Sequence, residues 1–245
     1  MQLYNPGSGR CRADDGRFIA PEHARGSQDE ITCGTVNHSQ NTLLELGKLL
    51  PVMEEFYSVQ GEGFNTGQPA YFIRIGGCDV GCRWCDVKES WNASDFPPVS
   101  TDEVISRAVE FPAKAIVVTG GEPLLYNLGY LCEKLHRLGF RTFLETSGSQ
   151  PLSGSWDWIC LSPKKDAPPF PEVAVRAQEL KVIVHDDSDF AWAEENRKLI
   201  PSGCLCFLQP EWSRHNTMIP AIVRYIKDNP EWRISLQSHK YMHIP

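Results

Sequence analysis

A short apolar segment runs directly into three closely spaced cysteines, in the sequence Tyr71-Phe72-Ile73-Arg74-Ile75-Gly76-Gly77-Cys78-Asp79-Val80-Gly81-Cys82-Arg83-Trp84-Cys85. The apolar residues predict a buried strand, and the cysteines after it have the spacing C-x3-C-x2-C. Three thiolates on one loop can hold three irons of a 4Fe–4S cluster, whereas an ordinary electron-transfer cluster has four cysteine ligands. The fourth iron is then open to a ligand from outside the protein.

Zinc is the main alternative to a cluster, because thiolates bind both. Structural zinc takes four ligands, but the chain has no second Cys-x2-Cys pair, and His185, His215 and His239 are isolated in sequence. Disulfides fit less well, because nine cysteines is an odd number and no secretory signal is visible. Four further cysteines lie in apolar segments and are predicted to be buried thiols: Cys132, Cys160, Cys204 and Cys206.

Apolar strands alternate with helices along the rest of the chain. Strands are predicted at 55–59, 71–75, 115–119, 141–146, 158–161, 180–184, 205–208 and 233–236, and helices from residue 101 and at about 124–138, 188–199 and 216–228. This alternation predicts an α/β protein with βαβ units around a parallel sheet. In such folds the chemistry collects where strands end, and polar residues stand at those positions: Gln60, Cys78, Thr119, Glu145, Ser162 and Gln209.

Length and composition limit the possible classes of protein. A chain of 245 residues with 41% apolar and 22% charged residues favours one folded domain with a substantial core. The net charge of −7 argues against nucleic-acid binding, which normally needs a basic surface. No apolar run is long enough to span a membrane. We therefore expect a cytoplasmic protein, where free thiols and an oxygen-sensitive cluster survive.

Residues 1–45 differ from the rest, because they are rich in polar residues and glycine and show little hydrophobic periodicity. They are predicted to be a disordered extension, followed by a catalytic domain over residues 46–245. Cys11 and Cys33 lie in this extension, too far along the chain from the cysteine loop to be assigned as ligands. A start assigned too far upstream is an alternative explanation, with the working protein beginning near Met53.

A second motif, Thr119-Gly120-Gly121-Glu122-Pro123, follows an apolar strand. Paired glycines let the backbone approach a ligand closely, and the Glu122 carboxylate can meet a cationic amino group. Alone, the motif is a strand-to-helix turn. Together with the cysteine loop, including Trp84, it resembles the S-adenosylmethionine (SAM) segment of the radical SAM superfamily. In those enzymes SAM chelates the open iron, and one electron breaks a C–S bond to give a 5′-deoxyadenosyl radical.

Further segments make the resemblance more specific. The chain is similar to 7-carboxy-7-deazaguanine synthases over roughly residues 51–245, in the segments Phe56-Tyr57-Ser58-Val59-Gln60-Gly61-Glu62-Gly63, the two motifs above, Glu145-Thr146-Ser147-Gly148, Ser162-Pro163-Lys164 and the His239-Lys240-Tyr241…Ile244-Pro245 terminus. The resemblance implies a radical SAM lyase that converts 6-carboxy-5,6,7,8-tetrahydropterin to 7-carboxy-7-deazaguanine and ammonia, towards queuosine and other 7-deazapurines. It also implies that SAM is regenerated after hydrogen is taken from, and returned to, the substrate.

The resemblance implies a role for each matching residue. The cluster ligands are Cys78, Cys82 and Cys85. The SAM-binding residues are Trp84, Cys85, Asp86, Gly121, Ser162, Pro163, Lys164, Gln209, Pro210, Glu211 and Trp212. The pterin-binding residues are Val59, Gln60, Gly61, Arg74, Thr119, Glu145 and the terminal carboxylate of Pro245. Arg74 suits a substrate carboxylate, because a guanidinium binds it bidentately, and Glu145 suits the guanidine-like edge of the pterin.

The expected Mg2+ site departs from the family pattern. A hydroxyl residue normally follows Cys-Asp there and helps to hold Mg2+ beside the substrate carboxylate, but this chain has Val87. Magnesium prefers octahedral oxygen ligands and keeps waters. Asp86, a backbone carbonyl or water remain candidates, and Lys88 is an alternative source of positive charge. The sequence therefore assigns no magnesium ligand.

The implied fold is an incomplete, modified (β/α) barrel, since residues 46–245 are short for a complete barrel of ~250 residues. The resemblance also implies a homodimer and a flavodoxin- or ferredoxin-type electron donor. Two other functions share the cysteine motif, namely a glycyl-radical enzyme activase and a non-catalytic iron–sulfur electron carrier. Arg74 and Pro245 favour a small anionic substrate over a protein substrate, and the open iron and paired glycines argue against an electron carrier.

Overall fold

The computed structural model describes the backbone of residues 33–245 and the side chains of residues 39–245. Its elements in chain order are α1 (Cys33–Glu45), β1 (Leu49–Leu50), β2 (Val52–Val59), β3 (Pro69–Ile75), β4 (Val99–Ser100), α2 (Thr101–Ala108), β5 (Ala115–Gly120), α3 (Gly129–Arg137), β6 (Arg141–Thr146), β7 (Trp158–Leu161), α4 (Pro171–Ala174), β8 (Glu179–Val184), α5 (Ser188–Arg197), β9 (Leu205–Pro210), α6 (His215–Asp228), β10 (Trp232–Ile234) and α7 (Ser238–Met242). Every strand predicted from the sequence is present.

Eight strands form one sheet in the order β10-β9-β8-β7-β6-β5-β3-β2. Within this sheet β2 pairs antiparallel with β3. The other seven strands run parallel to one another: β3, β5, β6, β7, β8, β9 and β10. In the described part of the chain β10 does not pair with β2, so the sheet is an incomplete barrel and the predicted fold class is confirmed. Hydrogen bonds bridge the open edges, among them those from the Gly63 N–H to Ser235 Oγ (2.9 Å) and from the Ser238 N–H to the Gly61 carbonyl (2.9 Å).

The two faces of the sheet have different chemistry, because side chains alternate along each strand. On the outer face, Ile73, Leu144 and Leu180 are fully buried in one large core that includes helix residues Leu131 and Ile222. The inner face begins apolar, with a smaller cluster around Phe72, Val117 and Phe143. Further along, the same inward positions carry polar side chains: Arg74, Thr119, Glu145, Lys181 and Gln209. A strand-by-strand alternation therefore separates the core from a polar interior.

The predicted helix at 124–138 is interrupted. A 3-10 turn spans Pro123–Leu125, and α3 begins only at Gly129. Local side chains explain the break, because Glu122 accepts from the Leu124 N–H (3.0 Å) and Asn127 accepts from the Gly129 N–H (3.0 Å). The short helix α7 lies in the terminal segment, where the sequence predicted no element.

Residues 1–32 of the predicted extension lie outside the described residues, and the rest of it is helix α1 (Cys33–Glu45). The Glu45 carbonyl accepts from Asn127 Nδ2 (3.1 Å), and Thr101 Oγ1, which is fully buried, donates to the Gly47 carbonyl (2.7 Å). The chain is therefore attached to the barrel from about residue 45. The disorder of the extension remains a prediction. Among the described residues, no helix is both long and apolar enough to cross a membrane.

Candidate active site

The inner face of the sheet opens into a cavity of about 460 Å³. Its walls include the ends of β2, β3, β5, β6 and β9, the cysteine loop and the C-terminal segment. All the residues that the sequence assigned to the cluster, SAM or substrate line this cavity except Pro163, which is buried beside Ser162. Segments far apart in sequence therefore meet in a single site.

The cysteine loop begins directly after β3 and is closed at its base by backbone hydrogen bonds. The Gly77 N–H donates to the Ser90 carbonyl (2.6 Å), and the Cys78 N–H donates to the Trp91 carbonyl (3.1 Å). Cys78, Cys82 and Cys85 are free and half-buried, and all three line the cavity. The closed base holds the three thiols at one wall.

The donor set fits a three-thiolate cluster. Burial raises the pKa of the Cys78 and Cys82 thiols, while the nearby Lys164 ammonium lowers that of Cys82. A bound metal deprotonates a coordinating thiol outright, so these thiols are ready ligands despite their burial. No three His, Cys, Asp or Glu side chains of the described residues converge on one point as they would around a single ion. Cys78, Cys82 and Cys85 are the three thiol donors of the loop.

Gly121 brings the second motif against the cysteine loop. A Cβ atom at this position would lie 2.1 Å from the Gly77 carbonyl oxygen and 2.9 Å from Cys78 Cβ, so only glycine fits. The expected role of Glu122 is not seen. Its carboxylate is buried and accepts hydrogen bonds from Thr146 Oγ1 (2.6 Å) and from the N–H and Oγ of Ser147 (2.8 and 2.5 Å). Glu122 therefore ties β5 to the end of β6 and has no free oxygen for a ligand's amino group.

Lys164 lies between the cysteine loop and the end of β7. Its Nζ donates to Ser162 O (2.5 Å) and Ser162 Oγ (2.8 Å) and stands 5.7 Å from the centre of the Trp84 ring. Burial lowers the pKa of Lys164. At the end of β9, Glu211 accepts from the Ser213 N–H (3.0 Å). These contacts fix the polar atoms of the predicted SAM wall.

The predicted pterin wall is formed by β2, β3, β5 and β6. Arg74 and Thr119 are register partners on β3 and β5, so their side chains lie next to each other. The Arg74 Nε atom is already paired with Glu54 (2.6 Å), which leaves the two terminal nitrogens of its guanidinium for the cavity. Glu145 Oε1 accepts from Gln60 Nε2 (3.2 Å). Bidentate binding of a substrate carboxylate by Arg74 stays a prediction.

The C-terminal segment closes one side of the cavity. His239 packs on Gly61, where any Cβ would lie 2.3 Å from the imidazole Nδ1. Lys240 Nζ pairs with Asp86 (2.7 Å), and Ser58 Oγ donates to the Pro245 main-chain oxygen (3.1 Å). Asp86, predicted to lie along SAM, is therefore also the anchor of the C-terminal segment.

The position expected to help hold magnesium is apolar in the structure as well. Val87 lines the cavity, and its carbonyl accepts from Ser90 Oγ (2.7 Å). Asp86 Oδ2 is engaged by Lys240 and by Gln237 (3.2 Å). Lys88, the alternative source of charge, is exposed and stands 5.8 Å from the centre of the Trp91 ring, rather than lining the cavity. Lys240 is the cation that the structure brings to this corner.

Several cavity residues were missed in the sequence. Lys181 donates to Glu62 (2.6 Å) and Glu145 (2.9 Å), and Gln237 donates to Glu62 (3.0 Å). Lys181 carried a signal, because it is a charged residue within the apolar strand sequence Leu180-Lys181-Val182-Ile183-Val184. Gln237 carried no such signal, because nothing in its local sequence shows that its side chain contacts Glu62. Glu62 lies in the turn after β2, residues 60–63, which we call the first turn.

The fold and the site have the features of a radical SAM protein, and residues 72–160 match the family model "Radical SAM superfamily". A 7-carboxy-7-deazaguanine synthase from Flavobacterium psychrophilum is 53% identical over 202 residues, which are 82% of this chain and 96% of the relative. One from Synechocystis sp. is 45% identical over 79% of this chain and 93% of the relative. The crystal structure of QueE from Escherichia coli aligns with a TM-score of 0.71 at 28% identity, over 82% of this chain and 99% of that chain. This chain belongs to the 7-carboxy-7-deazaguanine synthase family.

Proposed function

We propose that this protein is a radical SAM lyase that converts 6-carboxy-5,6,7,8-tetrahydropterin to 7-carboxy-7-deazaguanine and ammonia. The supporting observation is that one cavity combines a three-cysteine loop with a wall of hydrogen-bonding side chains, in a chain of the synthase family. The cavity volume of about 460 Å³ lies in the usual range for small-molecule sites. A cavity of this kind suits a compact heterocycle and a nucleoside cofactor better than a protein substrate.

Cys78, Cys82 and Cys85 would hold a 4Fe–4S cluster, and Trp84, Gly121 and Lys164 would lie along SAM. When bound, the cluster and SAM together supply the radical that starts the reaction. The chain itself provides position and shielding. The Gly121 backbone lies close against the cysteine loop, Lys164 adds positive charge, and Trp84 lines the cavity beside Lys164. The other SAM-wall residues proposed are Asp86, Ser162, Pro163, Gln209, Pro210, Glu211 and Trp212.

The opposite wall would orient the substrate. Glu145 would accept hydrogen bonds from the amino-pyrimidine edge of the pterin, and Gln60, which donates to Glu145, holds that carboxylate in place. The free guanidinium nitrogens of Arg74, beside Thr119, would bind the substrate carboxylate. Val59, Gly61 and Pro245 complete this wall. The two ends of the pterin would therefore meet opposite charges.

We further propose a cytoplasmic location, because the thiols must stay free. A flavodoxin- or ferredoxin-type donor is proposed because the cluster must be reduced. A homodimer is proposed from the family resemblance. A contribution of Mg2+ is proposed through Asp86, a backbone carbonyl or water, since Val87 has no side-chain ligand. The apolar Val87 favours a weaker or differently arranged magnesium site than a hydroxyl residue would provide.

The decisive experiment uses the reconstituted, reduced full-length protein with SAM and synthetic 6-carboxy-5,6,7,8-tetrahydropterin. We expect formation of 7-carboxy-7-deazaguanine with equimolar ammonia and no net consumption of SAM. An electron carrier would leave both compounds unchanged. A glycyl-radical activase would cleave SAM but leave the pterin intact, and either result would refute the proposed function.

A further inference from the structure

Lys181 is a buried ammonium between two cavity carboxylates. Its side chain is 5% exposed, and its Nζ lies 2.6 Å from Glu62 and 2.9 Å from Glu145. Glu62 comes from the turn after β2 and Glu145 from β6, whereas Lys181 is on β8. One nitrogen therefore connects three separate elements at the polar part of the inner face.

The charges in this group do not balance, because one ammonium faces two carboxylates. A bridge that served stability alone would gain nothing from a second carboxylate, and even balanced buried ion pairs contribute little net stability. Neither carboxylate is fully enclosed, since the side chains of Glu62 and Glu145 are 18% and 21% exposed. Both line the cavity. The excess negative charge is thus directed at whatever occupies the cavity.

We propose that Lys181 is a positioning residue that holds Glu62 and Glu145 as a pair of ionised acceptors for a flat, N–H-rich edge of amidine or guanidine type. This inference rests on the proposed function and adds Glu62 to the substrate wall. Lys181 does not touch the substrate in this arrangement. It fixes the direction of both carboxylates and keeps them charged, so that each accepts charge-assisted hydrogen bonds.

The surrounding groups support ionised carboxylates. Burial raises the pKa of Glu62, but the charge and hydrogen bond of Lys181, with further bonds from Gln237 and Gln209, lower it from 4.5 to about 2. The titratable groups that face Lys181 are Glu62, Glu145, Cys160, Glu179, Lys164 and His239. Burial raises the pKa of Cys160 and, together with the charge of Glu145, that of Glu179. Burial lowers the pKa of Lys164 and His239.

Loss of Lys181 would have a signature that a merely structural residue lacks. In K181M Glu62 loses its cation and hydrogen-bond donor, so the pKa of Glu62 rises. As pH falls through the raised pKa, a carboxylate gains a proton and no longer accepts two hydrogen bonds. The KM of K181M for the carboxypterin should therefore rise steeply as pH falls, whereas the KM of the wild type should stay level between about pH 5 and 8, apart from titration of the substrate itself.

The test measures the KM and kcat of K181M, K181R and the wild-type holoenzyme across that pH range, together with anaerobic calorimetric binding of the carboxypterin. We expect the KM of K181M to rise on the order of 10- to 100-fold at neutral pH, with cluster content and uncoupled SAM cleavage unchanged. K181R keeps the charge and should recover the level pH profile. A matched control, K198A, removes an exposed lysine paired with Glu195 and should behave as wild type.

An unchanged KM with a level pH profile in folded K181M would overturn the proposal. So would a wild-type KM that rises as the pH falls from about 8 to 5, beyond the titration of the substrate itself, and this measurement holds even if K181M does not fold. Failure of the proposed function looks different, because the wild-type protein itself would then neither bind nor convert the carboxypterin.

Discussion

Each cysteine of the loop is held by its own local contacts. The N–H of Cys78 is fixed to Trp91, and that of Cys85 donates to the Cys82 carbonyl (3.1 Å). The Cys85 sulfur also accepts from the Val87 N–H at 3.4 Å. Such N–H contacts to sulfur tune a cluster's reduction potential. The three cysteines therefore stand in different backbone environments.

Replacing any one of the three with alanine should abolish the cluster and SAM cleavage. C78A, C82A and C85A each remove one of only three thiolate ligands, and iron and sulfide analysis with 5′-deoxyadenosine formation measures the loss. C132A is the control, because burial raises the pKa of that thiol to about 12 and it lies in the core. A full cluster with normal SAM cleavage in any loop variant would contradict the assignment.

Val87 tests the magnesium dependence. V87T introduces the hydroxyl that this chain lacks, so we expect added Mg2+ to stimulate V87T several-fold more than the wild type, relative to activity in EDTA. V87A, which has no oxygen either, should respond as the wild type does. Complete dependence of the wild-type enzyme on Mg2+ would count against the proposed weaker site.

At the scale of elements, α7 is joined to the first turn and to the cysteine loop. Ser238 donates to the Gly61 carbonyl through its N–H (2.9 Å) and its Oγ (2.8 Å), and Lys240 pairs with Asp86. The Lys240 ammonium also stands 4.8 Å from the centre of the Trp212 ring. One helical turn therefore connects the walls proposed for substrate and for SAM.

The variant K240A should loosen α7 without removing the cluster. We expect the KM for the carboxypterin to rise by roughly 3- to 10-fold, a modest effect because Asp86 is 49% exposed and water screens the pair. Uncoupled SAM cleavage should persist, and the salt dependence of KM should fall. K227A, on the last turn of α6, is the control. Unaltered KM in K240A would show that the pair contributes nothing to the site.

The sequence predicted the strands of the site well, but it predicted poorly the contacts between residues that are far apart in sequence. Arg74, Thr119 and Glu145 were recognisable because strand periodicity and strand ends give their direction. The sequence suggested that the Glu122 carboxylate can meet a ligand's amino group, whereas in the structure it accepts hydrogen bonds from Thr146 and Ser147 at the end of β6. Gln237 and Lys240 depend on contacts across more than 150 residues. Such contacts follow from tertiary packing, which local patterns do not encode.

At the scale of the molecule, the fold class follows from the alternation of strands and helices. The sequence predicts the boundary between extension and domain at residues 45 and 46. In the structure Gly47 and Lys48 are attached through Thr101 on α2 rather than through a hydrophobic pattern. The Thr101 N–H donates to the Lys48 carbonyl (3.0 Å), and its Oγ1 donates to Gly47. These bonds are buried and are lost if the chain starts after them.

Two truncations therefore separate the extension from the barrel. A chain that begins at His38 should fold and turn over as the full chain does, whereas one that begins at Leu49 should lose roughly 1–3 kcal/mol of stability, because buried Thr101 loses both acceptors. Thermal unfolding and kcat/KM of the two proteins make the comparison. Loss of activity in the chain that begins at His38 would reveal a role for the extension, including Cys11 and Cys33.

The bridge between the open edges of the sheet has a consequence for the order of folding. The Gly61–Ser238 and Gly63–Ser235 hydrogen bonds join residues 177 and 172 positions apart, so they close a loop that contains nearly the whole barrel. Contacts with such sequence separation form late, because loop-closure entropy must be overcome before they contribute. The βα units can assemble first, and the cavity is completed only when the last residues reach the first turn. Ligands that occupy the completed cavity should therefore slow the breaking of the Gly61–Ser238 and Gly63–Ser235 hydrogen bonds more than the unfolding of any single βα unit.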